Sequence, residues 1–135
     1  MKDYQFEVCA NSVESCIAAQ AGGADRVELC AGIPEGGTTP SYGDILIARE
    51  ALQQTKLHII VRPRGGDFLY SSTEQRIMLK DIENARRLGA DGVVFGCPLC
   101  RPLPHTKYRN SAHGAASGLF LAGPPPGYRS DGGCG

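Results

Sequence analysis

Three sets of residues carry types and spacings that could do chemistry. The first is a pair of cysteines. Cys9 ends the run Glu7-Val8-Cys9, and Cys30 ends the matching run Glu28-Leu29-Cys30. If the two runs are neighbouring strands, about 4.8 Å apart, their sulfurs could approach one another. Two thiolates make a soft site that favours Cu(I) over hard cations. The alternative is two buried cysteines acting as small hydrophobes. The second set is Glu7, Glu28 and Arg62, the candidate catalytic residues. Strand alternation puts Glu7 with Cys9, puts Arg26 with Glu28 and Cys30, and puts Ile60 with Arg62. Two carboxylates and a guanidinium on neighbouring faces must pair if they are buried. An arginine between the acids would hold both carboxyls low and ionised. They could form a site or a structural ion-pair layer. The third set is the turn Arg62-Pro63-Arg64-Gly65-Gly66-Asp67. Its glycines permit positive φ and close backbone approach, and Arg62 and Arg64 flank them. The turn could hold a phosphate or carboxylate through Arg62, Arg64, Gly65 and Gly66. Alternatively, it is a tight loop whose arginines pair with Glu7, Glu28 or Asp67. No Gly-Lys-Ser/Thr follows, so it is not a nucleotide phosphate loop.

Other reactive residues carry less. Cys97-Pro98-Leu99-Cys100 is a lone C-x-x-C, and His105 and His113 do not complete a familiar zinc spacing. The prolines of Arg101-Pro102-Leu103-Pro104 bar the helix that a thioredoxin-like motif would need. Cys16 reads as a core residue. His58, inside an apolar run, reads as a core or rim histidine.

The elements that must position these residues alternate cleanly up to Gly96. Strands are expected near 6–10, 26–30, 57–62 and 92–96. Helices are expected after Asn11, which has Glu14 at capping-box spacing, and over about 41–54 and 71–88. Ser71 and Glu74 also have that spacing. The first helix should bury Val13, Cys16, Ile17 and Ala21, and the third Met78, Ile82, Ala85 and Leu88. Gly23-Ala24-Asp25 before strand two is echoed by Gly89-Ala90-Asp91 before strand four. Strand, helix, strand, helix is the mark of βαβ units with a parallel sheet. The apolar strand faces should meet the helices, leaving the Glu7, Glu28 and Arg62 faces inward. The fold class is therefore α/β, an incomplete (β/α)8 TIM-type barrel of three to four βα units.

The bulk composition bounds the rest. The chain has 135 residues with Lys+Arg and Asp+Glu balanced at 14 each, so no bulk charge argues for nucleic acid or anionic membrane. A complete eight-unit barrel typically needs about 250 residues. Residues 1–96 hold 10 basic and 13 acidic side chains, whereas 97–135 hold 4 and 1. That second segment carries 7 Gly and 6 Pro with no amphipathic period, which argues against packed helices or strands. It is expected to be disordered or loosely docked, and its abrupt start and reversed charge suggest out-of-frame translation. No signal-peptide pattern opens the sequence, and no run reaches the roughly 18 apolar residues of a membrane helix. A cytoplasmic protein is expected, with its 6 cysteines reduced.

Several stretches together carry a family resemblance: Phe6-Glu7-Val8-Cys9, Gly22-Gly23-Ala24-Asp25-Arg26-Val27-Glu28-Leu29-Cys30, Glu35-Gly36-Gly37-Thr38-Thr39-Pro40-Ser41, Arg62-Pro63-Arg64-Gly65-Gly66-Asp67-Phe68-Leu69-Tyr70 and Gly89-Ala90-Asp91-Gly92-Val93-Val94-Phe95-Gly96. In order and density they resemble the N-terminal half of the CutC family of copper homeostasis proteins. The resemblance implies a (β/α)8-type barrel, often oligomeric, with copper as the bound ion. It maps the family's proposed Cu(I) ligands onto Cys9 and Cys30. It stops near residue 96, so residues 97–135 read as a non-family tail. The expected function is intracellular Cu(I) binding. The alternatives are a barrel-enzyme remnant acting on an anionic small molecule, or a truncated fragment without activity. A half barrel makes catalysis doubtful, and its open edges invite self-association.

Overall fold

The computed structural model describes residues 4–96 and two short strands further on, at 108–110 and 119–121. The first part runs β1 (Glu7–Ala10), α1 (Val13–Ala21), β2 (Arg26–Leu29), a 3-10 turn (Ile33–Glu35), α2 (Tyr42–Ala51), β3 (Lys56–Ile60), α3 (Ser72–Arg87) and β4 (Gly92–Val94). The four strands form one parallel sheet in the order β1-β2-β3-β4. This is the expected βαβ alternation. It leaves β1 and β4 as the outer strands of that sheet.

The helix starts are chemically defined. Ser41 and Asp44 form a full capping box on α2, and Ser71 and Glu74 do so on α3. On α1 the cap is Ser12, which accepts the Ser15 N–H at 3.1 Å, rather than Asn11. Asn11 instead accepts the Ser15 hydroxyl, because it stands one residue too early to meet the free amides of the first turn.

The core lies between the sheet and the helices. Val27, Leu29, Leu57, Ile59, Val61 and Val93 are all fully buried, and Cys16, Ile45, Ala48, Met78, Ile82 and Ala85 close over them. Ile17, expected in the core, is 46% exposed, because the buried line of α1 runs through Cys16.

The repeated Gly-Ala-Asp has a specific job. Asp25 donates its N–H to Phe6 O at 2.9 Å and accepts the Phe6 N–H on its carboxylate at 2.9 Å. Asp91 does the same to Leu57, donating at 2.8 Å and accepting at 2.9 Å. Each aspartate thus grips both main-chain groups of one residue at the start of the preceding strand. The Gly before each Ala-Asp sits at positive φ, 83° at Gly23 and 85° at Gly89, where an L side chain is strained. Asp91 also pairs with Arg49 at 2.9 Å and Lys56 at 3.4 Å.

In the 97–135 segment, β5 (Tyr108–Asn110) and β6 (Leu119–Leu121) pair antiparallel, where the Gly/Pro content led us to expect no strands. Leu119-Phe120-Leu121 is the apolar cluster of that segment, and Phe120 and Tyr108 are β-prone residues of the two strands. The C-x-x-C at 97–100, His105 and His113 lie outside the described residues.

Burial alone would raise the Asp91 carboxyl, but the Leu57 N–H, Lys56 and Arg49 outweigh it and hold it below the usual range. A depressed carboxyl contributes stability above its unfolded pKa of about 3.9 and loses it as pH falls through the folded value. Asp91→Ala should therefore cost about 1–3 kcal/mol in urea unfolding at pH 7. The deficit should shrink below about pH 4, and an equal deficit at pH 7 and pH 3 would refute the account.

Candidate functional site

The parallel register draws one row of inward-facing residues across the sheet. Cys9 pairs with Glu28, Glu28 with His58, and His58 with Gly92. Below it, Glu7 pairs with Arg26 and Arg26 with Lys56. Above it stand Cys30 and Ile60, and then Arg62. Strand alternation sends all of them to the face opposite the helices.

Cys9 and Cys30 come into contact, with their sulfurs 3.8 Å apart. Cys30 stands two residues beyond the register partner of Cys9, so the contact is diagonal across β1 and β2. The two thiols differ in setting. Cys9 is exposed and Cys30 is buried at 1% exposure. Burial pushes the Cys30 thiol up to about 12, helped by its hydrogen bond with Cys9 and by the charges of Cys9, Glu28 and Cys16. Cys16 lies on the other side of the sheet, in the core, and burial raises its thiol to about 11.

Glu7 is ion-paired with Arg26, whose guanidinium also reaches Gln5 at 3.2 Å. Glu28 is half-buried. Burial and the Glu7 charge push its carboxyl up, against the pull of Arg26. We expected Arg62 to sit between these acids and lower them; it does not. Its Nη1 donates to the carbonyls of Glu35 at 2.7 Å and Gly37 at 3.1 Å, and its Nη2 donates to Gly66 at 2.7 Å. The Phe68 ring covers it at 5.0 Å. Arg62 lies past the end of β3, at a level where the 31–40 and 63–67 loops fold over and present their carbonyls. A side chain at Gly36 would put its Cβ 3.0 Å from that guanidinium, and one at Gly37 would meet Ile60 at 3.3 Å. Arg26, to which the sequence reading gave no role, is the base that the acids face.

The turn after β3 uses its charges internally. Arg64 Nε donates to Glu74 at 2.6 Å, Nη1 donates to the Gly65 and Asp67 carbonyls, and Nη2 donates to Leu69 O at 2.8 Å and Asp67 at 3.2 Å. Gly66 takes positive φ, 84°, whereas a Cβ added at Gly65 would come within 3.1 Å of Glu35 Cβ. A groove of about 510 Å³ opens beside Arg62 and Arg64, toward Thr39, Tyr42, Ile77 and Asp81. Arg62 nevertheless turns Nη1 and Nη2 to carbonyls, and Arg64 turns its nitrogens to carbonyls and carboxylates. The Arg64–Asp67 pair of the alternative reading is present, and the loop is stapled by its own charges.

His58 is 5% exposed and belongs to the inward row, not to the apolar core. Burial and the Arg26 charge lower its pKa and keep the ring neutral. The ring lies over Gly92, where a Cβ would come within 2.8 Å of Nε2. The alternation that put Ile60 and Arg62 inward also implied this position. Among the described residues no group of three or more His, Cys, Asp or Glu gathers at metal-binding spacing. The donors that do meet are the two sulfurs.

Comparison with known proteins places this geometry. The CutC family model matches residues 4–114. A CutC family protein of Bacteroides thetaiotaomicron is 81% identical over 97 residues, covering 72% of this chain and 39% of that protein. A human protein named as a copper homeostasis protein cutC homolog is 45% identical over 122 residues, 78% of this chain and 44% of its own length. A crystal structure assigned to CutC of Streptococcus agalactiae superposes with a TM-score of 0.65 at 38% identity, over 70% of this chain and 46% of that one. The chain therefore spans about two-fifths of the length of the curated relatives it matches. With its parallel sheet, its helical order and a family match covering most of its length, this chain belongs to the CutC family.

Proposed function

We propose that this chain is a copper homeostasis protein that takes up Cu(I) as cargo through Cys9 and Cys30. The observation that carries the reading is the 3.8 Å contact between the two sulfurs. Bonds from thiolate sulfur to a d10 ion are about 2.3 Å, so two sulfurs bridging one ion lie up to about 4.6 Å apart. The pair is already within that reach. The donor set is soft, which selects Cu(I) over the hard cations abundant in cells. The copper homeostasis name of the human relative agrees with this reading. The described cysteines are free thiols, a state that a reducing compartment such as the cytoplasm maintains.

The chemistry asks for proton release. Both sulfurs must be thiolates to hold the ion, and burial keeps Cys30 protonated far above neutral pH. Affinity should therefore rise with pH. Cys9, open to solvent, is the entry side, and Cys30 closes the coordination from within. Arg62 Nη1 and Nη2 and the three Arg64 nitrogens are bonded within the loops, which favours the sulfur pair over an anion site here.

Anaerobic competition against a Cu(I) chelator tests the reading. Cys9→Ser/Cys30→Ser should weaken Cu(I) binding by at least about tenfold, while Cys16→Ser should leave it near the wild-type value. Unchanged affinity in the double variant would remove this pair as the ligands. Iodoacetamide labelling followed by peptide mapping gives a second check. Cys9 should be labelled at least about tenfold faster than Cys16 or Cys30 at pH 7, reflecting its exposure and their raised pKa values. Equal rates would contradict the asymmetry.

A further inference from the structure

The same two sulfurs carry a second chemistry, which rests on the Cu(I) reading only in sharing its site. We propose that Cys9 and Cys30 form a reversible disulfide when the ion-free protein meets a peroxide, with Cys9 attacked first and Cys30 resolving. The sulfurs touch at 3.8 Å, and a disulfide needs about 2.05 Å. Cys9 is the exposed member, so a dissolved oxidant reaches it first, while Cys30 is buried against it. Cys16 is fully buried in the core on the opposite side of the sheet and cannot compete as the resolving thiol.

The steps balance with hydrogen peroxide as the oxidant. The Cys9 thiolate attacks one peroxide oxygen, the O–O bond breaks, and the leaving hydroxide takes a proton to become water. Cys9 is then a sulfenic acid. The Cys30 sulfur attacks the Cys9 sulfur, the S–S bond forms, and the sulfenic oxygen leaves as a second water. Two thiols and one peroxide give one disulfide and two waters.

The backbone makes this bond reversible. Cys9 is in register with Glu28, so Cys30 stands two residues further along. With strands about 4.8 Å apart and a rise of about 3.3 Å per residue, the two Cα atoms lie about 8 Å apart. Most disulfides span 4.4–6.8 Å between Cα atoms, and bonds formed outside that range are more easily reduced. Closure requires the chain just past β2 to shift. There Cys30 is held by its N–H and its thiol, both on Ala10 O, at 2.9 and 3.5 Å, and disulfide closure gives up the thiol bond. Oxidation and ion binding exclude each other, because each uses both sulfurs.

The full chain, reduced and metal-free, tests this. One equivalent of hydrogen peroxide is added, remaining thiols are alkylated, and linked peptides are mapped without reductant. The Cys9 and Cys30 peptides should appear joined and should separate with dithiothreitol. In Cys30→Ser, and in Cys30→Ala as a second small replacement, Cys9 should stop at the sulfenic acid and take a dimedone adduct. Absence of the Cys9–Cys30 link in wild type, or a link that dithiothreitol leaves intact, overturns the proposal. No dimedone adduct on Cys9 in either folded variant overturns the order of attack. Preloading with one equivalent of Ag(I), a Cu(I) surrogate, should slow linking by at least about tenfold. Linking at full rate in the presence of Ag(I) leaves the disulfide standing and counts against the Cu(I) reading alone.

Discussion

The double grip of one aspartate on one residue at the start of the preceding strand underlies the rest of this structure. Asp25 on Phe6 and Asp91 on Leu57 each fix a parallel pair at its first rung. In a parallel sheet a one-residue slip would exchange the two faces of a strand, sending apolar residues inward and charges into the core. The aspartates prevent that slip where the strand begins, before the apolar rungs are reached. The rungs Cys9–Glu28 and His58–Gly92 follow from these grips, and so does the diagonal that brings Cys30 to Cys9. The sulfur contact is thus set by carboxylates at the opposite end of the strands.

The inward face divides into levels with different chemistry. At the bottom, Glu7 and Arg26 pair near solvent, where an ion pair costs little. In the middle, Glu28 and His58 are more buried, and both shift toward their neutral forms. Near the top, the sulfurs meet in a setting that is apolar on the Cys30 side. Arg62 closes the top by tying two loops together through their carbonyls. Charge therefore falls from the strand starts toward the sulfurs. Among the described residues no group of three or more His, Cys, Asp or Glu at metal-binding spacing stands beside them.

Much of this was legible in the sequence. Period-two alternation gave the strands and their faces, and capping spacing gave the start of α3. The cysteine pair followed from two matching strand runs. The Gly-Ala-Asp echo was visible as a repeat, although its function was not. An Asp that bonds backbone has no partner residue type to reveal it. Arg62 escaped for the same reason, because carbonyl acceptors leave no trace in residue identity. Side-chain types suggested the acids, whereas the loops supplied the partners. His58 was read as a core or rim histidine; it is buried on the inward face, opposite its apolar neighbours Leu57 and Ile59. The short pairing of β5 and β6 lay beneath a composition signal that averages over 39 residues and hides three at a time.

The ring of His58 over Gly92 also bears on how this sequence can drift. At that level β4 contributes no side chain, and the imidazole fills the space one would take. The two positions lie on neighbouring strands, 34 residues apart in the chain, yet they share one volume. A larger residue at 92 fits only beside a smaller one at 58. Among descendants of this chain the two sites should exchange as a coupled pair: bulk passes from β3 to β4, and the total held by the row stays fixed.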